Sequence, residues 1–179
     1  GGDDGGGGGE GVLPMPNGDD PECTTVLCRA LEGDLEAIVD LLVPTTWGWR
    51  IQGEGSVDLA VVVPNFSISL SGGANIVYNR YSDQLAMNVD WAIEPGFGIG
   101  AGGSVTTGPL VGWGSSRVED VTTGTSGLIS GTAAYIAAIS AGVTSPWPLR
   151  DDPVYGFAPA TVYVGAGAGG DYAGVGAGP

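Results

Sequence analysis

The chain has 179 residues, and its 20 acidic side chains against five arginines give a net charge of −15, with no lysine and no histidine. This charge excludes a nucleic-acid-binding protein, because it repels phosphate backbones. The lack of histidine excludes Ser–His–Asp hydrolases and imidazole zinc sites, and we expect neither a metal nor a cofactor. An apolar content of 42% argues against a disordered chain.

Residues 1–20, "GGDDGGGGGEGVLPMPNGDD", consist mostly of glycine, aspartate and proline, a composition typical of a flexible linker. We expect a single domain over residues 21–179. The sequence starts without methionine, which indicates a segment of a longer protein. It has no apolar run of 18 residues and no basic N-terminal region, so it predicts neither a spanning helix nor a signal peptide.

A helix is predicted over residues 21–43. Pro21 suits the first helical position and Pro44 ends the pattern. The apolar residues between them recur at steps of three and four, as on one face of a helix: Leu27, Leu31, Leu35, Ile38 and Leu42. Cys23 and Cys28 lie at its start, either as a local disulfide or as two free thiols.

From Trp47 onward the apolar period becomes two, which predicts β-strands over 47–63, 66–71, 75–81, 85–93 and 97–101. Turns are expected at Pro64-Asn65, at Gly72-Gly73 and at Glu94-Pro95-Gly96. The rhythm of strand and turn indicates an antiparallel meander. We expect the face with Trp47, Trp49 and Trp91 to form the core, and the opposite face to be solvated. On that opposite face, Arg50 would form a surface pair with Glu54 or Asp58.

The second half continues this pattern. Residues 108–144 fit two more strands, and we interpret "GTAAYIAAISAGV" as strand rather than helix. Residues 145–160 carry four prolines and predict a long loop, followed by a final strand, "TVYVGAGAGGDYAGVGAG", with glycine on one face. Glycine there lets neighbouring backbones approach closely. The fold class is therefore mainly all-β: a glycine-rich antiparallel meander forming a small barrel or sandwich, with one N-terminal helix.

Four residues are candidates for a functional site. Asp90 and Glu94 share one strand face, and if that face points into a barrel, the paired carboxylates could hydrolyse glycosides. If the face points outward, which we expect, they are ordinary solvated charges. Trp113 and Trp147 stand beside glycine and proline in predicted loops, where an exposed indole could stack on a glycan or lie at a membrane interface.

Four segments, "SISLSGGANIVYN", "EPGFGIGAGGSVTTG", "SSRVEDVTTGTSGLISGTAAYIAAISAGV" and "TVYVGAGAGGDYAGVGAG", resemble the glycine-rich C-terminal toxin domains of bacterial Rhs (YD-repeat) polymorphic toxins. The resemblance spans residues 66–178 as a pattern of glycine strands and matches no catalytic residue. It implies a bacterial effector used against competing cells, secreted as part of a larger protein and with an immunity protein as partner, but it implies no mechanism. From the residues themselves we expect a membrane or a glycan as the target.

Without histidine or lysine, we expect the activity to be non-enzymatic, by membrane perturbation or by binding. Action in a membrane requires a continuous apolar outer band, which the barrel would have if its charged faces were interior. Two alternatives stay open. One is an extracellular binding or structural β-module, and the other is a carboxylate-dependent hydrolase that uses Asp90 and Glu94.

Overall fold

The computed structural model describes residues 23–59, 64–122 and 126–178, so the linker predicted at 1–20 lies outside the described residues. Eight antiparallel strands form a closed barrel. The strands are β1 (Thr46–Asp58), β2 (Phe66–Asn79), β3 (Gln84–Gly100), β4 (Gly102–Trp113), β5 (Ser126–Ala134), β6 (Ala137–Pro146), β7 (Ala160–Gly169) and β8 (Tyr172–Gly178). The helices are α1 (Val26–Leu31), α2 (Leu35–Leu42) and α3 (Glu119–Thr122). The prediction of a mainly β, closed antiparallel fold is confirmed.

The strands follow one another around the barrel as β1-β2-β3-β8-β5-β6-β7-β4, with β4 paired to β1. Each half of the chain is therefore a Greek key, with spatial order 4-1-2-3 in the first half and 8-5-6-7 in the second. The predicted meander holds only within β1–β3 and within β5–β7. Hydrophobic alternation specifies strands but not their neighbours, so the return of β4 and β8 could not be predicted from it.

The two Greek keys are joined by a bent two-stranded ribbon. β3 pairs with β8 and β4 pairs with β7 in nearly continuous register, from Gly96–Gly176 to Trp113–Ala160. The ribbon folds over one end of the barrel, where the Gly170 N–H donates to the Gly103 carbonyl at 2.9 Å. We call this the corner end.

The turns predicted at Gly72-Gly73 and at Glu94-Pro95-Gly96 are wrong, because β2 runs straight through the first and β3 through the second. The chain turns instead at Gly100, whose φ of +86° lies in the left-handed region that glycine adopts without strain. Similarly, the single final strand predicted from 161 onward is two strands, β7 and β8, with the ribbon corner between them.

The predicted helix over 21–43 is also wrong in extent. Two short helices replace it, because Gly33 has a φ of +91° and ends α1. Asp34 then caps α2, accepting hydrogen bonds from the backbone N–H groups of Glu36 and Ala37 at 2.9 and 3.3 Å. Cys23 and Cys28 form a disulfide.

No helix in the described ranges is both long and apolar enough to cross a bilayer.

The opposite end of the barrel, which we call the cap end, is covered by α1, α2 and the loop 147–159. Asp152 organises this loop: its carboxylate accepts hydrogen bonds from the Ser116 N–H and hydroxyl at 2.8 and 2.7 Å and from the Val154 and Tyr155 N–H groups at 2.8 and 3.0 Å. Tyr155 packs with Val26 of α1 in a small apolar cluster. The predicted long loop is thus confirmed, and it forms a folded lid.

Candidate functional site

The polar faces of the strands point into the barrel and the apolar faces point outward, which is the opposite of the prediction from the sequence. Arg50, Gln52 and Glu54 of β1 are buried inside the barrel, whereas Trp49 and Ile51 between them are 53% and 56% exposed. The prediction that Trp47, Trp49 and Trp91 form the core is wrong, since all three lie on the outer surface and Trp91 is 73% exposed. An alternation of period two shows that a strand has two different faces but not which face is inside.

The outward side chains of the eight strands form a continuous apolar surface, which we call the outer band. No charged side chain points outward from these strands. On β3, every second residue from Leu85 to Ile99 is apolar, and Met87 and Val89 are 75% and 83% exposed. The other large members of the band are Trp47, Trp49, Ile51, Val57, Ile68, Leu70, Ile76, Tyr78, Val105, Ile129, Ile139, Val143, Val164 and Val175.

Three hydroxyl groups on the outer band are hydrogen-bonded within the protein. Thr107 donates to the Arg50 carbonyl at 3.0 Å and accepts from the Trp49 indole at 2.6 Å. Ser145 donates to the Pro159 carbonyl at 2.7 Å, and Tyr78 donates to the Asp83 carboxylate at 2.9 Å. These hydroxyls therefore need no water, which suits an apolar environment.

The structure places the two candidate tryptophans at the cap end. Trp113 is the last residue of β4, and its indole N–H donates to the Leu42 carbonyl at 3.2 Å, which fastens the end of α2 beside the outer band. Trp147 lies in the cap loop and is 60% exposed. α2 itself exposes Leu35 and Leu42 at 77% and 73%. The two indoles are therefore separate features rather than two walls of one binding site.

Inside the barrel, the surface pair predicted between Arg50 and Glu54 or Asp58 is wrong. Arg50 instead forms a two-fold ion pair with Asp90, with nitrogen–oxygen distances of 2.6 and 2.9 Å. The same guanidinium donates to Gln52 at 2.9 Å and to Asn75 at 3.0 Å. Its carbon lies 4.9 Å from the centre of the Tyr163 ring. Most N–H groups of this buried arginine therefore have a hydrogen-bond partner, which offsets the cost of burying its charge.

Two further carboxylates lie in the barrel interior with hydroxyl partners. Glu94 is 1% exposed and accepts hydrogen bonds from Ser71, at 2.6 Å, and from Ser130. Glu54 accepts from Thr132, at 2.6 Å, and from Tyr172. Three of these four hydrogen bonds join strands that are not neighbours, so both carboxylates link strands across the barrel interior.

This arrangement gives no support to hydrolysis by Asp90 and Glu94. Both residues do point into the barrel, which was the orientation that the hydrolase hypothesis required. Asp90, however, is paired with Arg50, and Glu94 is enclosed by hydroxyl groups. A glycosidase needs both carboxyl groups to flank a substrate, and a carboxyl group that is 1% exposed cannot touch one.

Glycine on the inner face makes room for these large polar side chains. A Cβ atom on Gly142 would lie 2.7 Å from the hydroxyl oxygen of Tyr163. A Cβ atom on Gly176 would lie 2.9 Å from the Cβ of Glu94. The interior of an eight-stranded barrel is just wide enough for side chains. Glycines on the inner face therefore leave the space that bulky polar residues on other strands occupy.

Sequence reasoning did not single out Gln52, Tyr163 or Tyr172 as interior residues. A signal was present for Gln52 and Tyr163, because they share a strand face with the polar residues Arg50 and Thr161, which the structure buries. That signal identifies interior residues only if the polar face of each strand is assumed to point into the barrel. Tyr172 is the one buried residue of β8 and had no such signal.

The chain matches no protein-family model, no curated protein sequence and no solved structure, so any functional argument rests on its own residues.

Proposed function

We propose that this domain inserts into a lipid bilayer as a β-barrel with a filled interior. The observation that carries the proposal is the outer band, which runs around all eight strands without a charged side chain. Water-soluble monomers rarely expose a contiguous apolar patch larger than a few hundred Å². Here most of the large apolar side chains on the strands face outward, whereas Arg50, Glu54 and Glu94 are buried. A smaller apolar cluster that includes Val77 and Leu110 lies inside the barrel.

Energetics favour lipid as the environment of the outer band. Val89, Trp91 and Phe97 are 83%, 73% and 71% exposed. Transfer of a large apolar side chain from water to an apolar environment contributes about 1.5–3 kcal/mol. Summed over the band, this comes to tens of kcal/mol, on the order of several times the stability of a small domain.

The length of β3, the longest strand, fits a bilayer. The outward apolar run of β3 extends from Leu85 to Ile99. At about 3.3 Å per residue and a strand tilt of about 40°, this run rises about 35 Å along the barrel axis. The hydrocarbon core of a bilayer is about 30 Å thick. Aromatic residues flank the band, with Trp47 and Trp113 towards the cap end and Tyr135 at the corner end, as in the aromatic girdles of membrane barrels.

The interior argues against an open pore. Arg50, Glu54, Glu94 and the Tyr172 ring fill the cross-section and are hydrogen-bonded across it. We therefore propose insertion without conduction. If the domain is a toxin effector, as its resemblance to Rhs toxin tips implies, its action would follow from insertion itself or from what it carries to the membrane.

Vesicle flotation tests the proposal. The purified domain, refolded in the presence of phosphatidylcholine vesicles, is expected to float with the lipid, to remain there after washing with carbonate and urea, and to keep a β-type circular dichroism spectrum. Encapsulated dye is expected to stay inside the vesicles. A folded, monomeric protein that remains in the aqueous fraction would contradict insertion, and rapid dye release would contradict the filled interior.

A further inference from the structure

The two ends of the barrel differ in the segments that connect the strands. At the corner end three of the four connections are short, with Ala101 alone between β3 and β4 and two residues each at 135–136 and 170–171. At the cap end the segments are longer and include α1, α2, α3 and the loop 147–159. A barrel that enters a bilayer from one side must carry one of its ends across the hydrocarbon core, so this difference bears on the direction of insertion.

Charged residues are concentrated at the cap end. Every arginine of the chain except the buried Arg50 belongs to a segment at this end, and so do most carboxylates of the described residues. They include Arg29, Arg80, Arg117, Arg150, Glu32, Asp34, Glu36, Asp40, Asp83, Glu119, Asp151 and Asp152. The corner end has Asp58, at the end of β1, and Asp171. Residues 60–63, which lie outside the described ranges, have the sequence "AVVV" and add no charge.

The corner end also has an apolar tip. Tyr135 and Ile136 form the two-residue connection between β5 and β6, and they are 72% and 78% exposed. Tight turns are dominated instead by glycine, proline, asparagine, aspartate and serine. Large apolar side chains at such a position gain free energy when they leave water for lipid, so this tip is suited to enter a bilayer first.

The cap end is suited to the boundary between lipid and water. Leu35 and Val39 of α2 are exposed, and so is Glu36 on the same helix. The hydrogen bond from the Trp113 indole to the Leu42 carbonyl holds α2 beside the outer band. Amphipathic helices lie in the plane of a membrane interface, with the apolar side in the acyl boundary and the charged side in water. α2 can therefore rest in the head-group layer while the outer band lies in the hydrocarbon core.

We propose that the domain enters a zwitterionic bilayer with its corner end first, and that the cap end stays in the head-group layer of the leaflet that it entered. The inference rests on the proposed function, because it gives a direction to insertion. Each charged side chain that passes through the hydrocarbon core adds to the barrier. Entry by the corner end moves Asp58 and Asp171 across, whereas entry by the cap end would move the four arginines and their accompanying carboxylates.

Modification of added cysteines tests the direction. Ile136→Cys, at the corner end, and Asp151→Cys, at the cap end, are each added to the outside of sealed phosphatidylcholine vesicles. They are then treated with a maleimide coupled to polyethylene glycol, which does not cross the bilayer. We expect Asp151→Cys to be modified in intact vesicles and Ile136→Cys only after detergent opens them. The wild-type chain, in which Cys23 and Cys28 are paired, is the blank. Modification of both variants to the same extent, or of Ile136→Cys alone, would overturn the proposal.

Flotation of the same samples, after a wash with carbonate and urea, separates the direction from insertion itself. If Ile136→Cys floats with the lipid but is modified in intact vesicles, the domain is inserted in the other direction or in both, and only the inferred direction fails. If the domain does not float, insertion fails and the direction fails with it.

A matched pair of charged substitutions tests the cause. Ile136→Asp and Leu149→Asp introduce the same charge at the corner end and at the cap end, where the two side chains are 78% and 64% exposed. Ile136→Asp should slow insertion at least about tenfold, because its carboxylate must cross the hydrocarbon core. Leu149→Asp should leave the rate unchanged. The rate is followed by tryptophan fluorescence after dilution from urea into phosphatidylcholine vesicles. Equal rates for the two variants, or a slower rate for Leu149→Asp alone, would overturn the proposal.

Discussion

Substitution of one residue of the outer band by arginine distinguishes a barrel that lies in a membrane from one that is soluble in water. Ile51 is 56% exposed and lies five residues from the start of β1 and seven from its end. At about 3.3 Å per residue and a tilt of about 40°, it is about 13 and 18 Å from the two ends, near the middle of a bilayer. Arginine on the lipid face at that depth costs about 2–4 kcal/mol, whereas an exposed surface substitution in water changes stability by less than about 0.5 kcal/mol.

We therefore expect Ile51→Arg to lower the unfolding free energy in phosphatidylcholine vesicles by about 2–4 kcal/mol, measured by urea titration of tryptophan fluorescence. Since tenfold in an equilibrium constant is about 1.4 kcal/mol, the equilibrium constant between the inserted, folded state and the unfolded state should fall by about 30- to 1000-fold. The matched control is Tyr135→Arg, at the corner end, where the cost should be about 0–1 kcal/mol. An Ile51→Arg protein as stable as the Tyr135→Arg control would refute the placement of the outer band in lipid.

Three further predictions concern the barrel itself, each measured by chemical denaturation. Gly96→Ala should destabilise the fold by about 1–3 kcal/mol, because the added Cβ would lie 2.7 Å from the backbone Cα of Gly176. The control Gly53→Ala, whose Cβ would have no atom within 4 Å, should be neutral or slightly stabilising. Equal effects of the two substitutions would contradict the close approach of the backbones at Gly96. Burial alone would raise the pKa of the Asp152 carboxyl, but the hydrogen bonds from Ser116 and the loop N–H groups outweigh it and lower the pKa. The contribution of Asp152 to the free energy of unfolding should therefore be present above about pH 4 and be lost as the pH falls further. Asp152→Ala should cost about 3 kcal/mol at pH 7 and should make the stability less dependent on acid pH. Arg50→Met should cost less than the about 3–5 kcal/mol of breaking a fully buried ion pair, because the Asp90 side chain that it leaves unpaired is 37% exposed. Adding Asp90→Asn should recover part of the loss, and a double variant less stable than Arg50→Met would show that the pair is not coupled.

Local residue patterns predicted that the chain from Trp47 onward forms strands, and they placed the turn at Pro64-Asn65. Alternation from Trp47 to Ile99 predicted β-structure, the prolines after residue 145 predicted the cap loop, and glycine on one face of the last segment predicted close packing of backbones. Each of these inferences depends on local geometry, namely the two-residue period of a strand, the missing N–H of proline and the missing Cβ of glycine.

Which face of each strand lies inside depends on the closed barrel and not on the strand's own sequence. The residue pattern of β1 is the same whether Trp49 or Arg50 points inward. The way in which the eight strands close into a barrel determines which of the two faces is inside. Interior glycines such as Gly142 and Gly176 leave space that bulky polar side chains fill, so the polar face can be the packed one. The Greek-key order depends on long-range pairing, which local periodicity does not encode. This pairing brings Asp90 to Arg50.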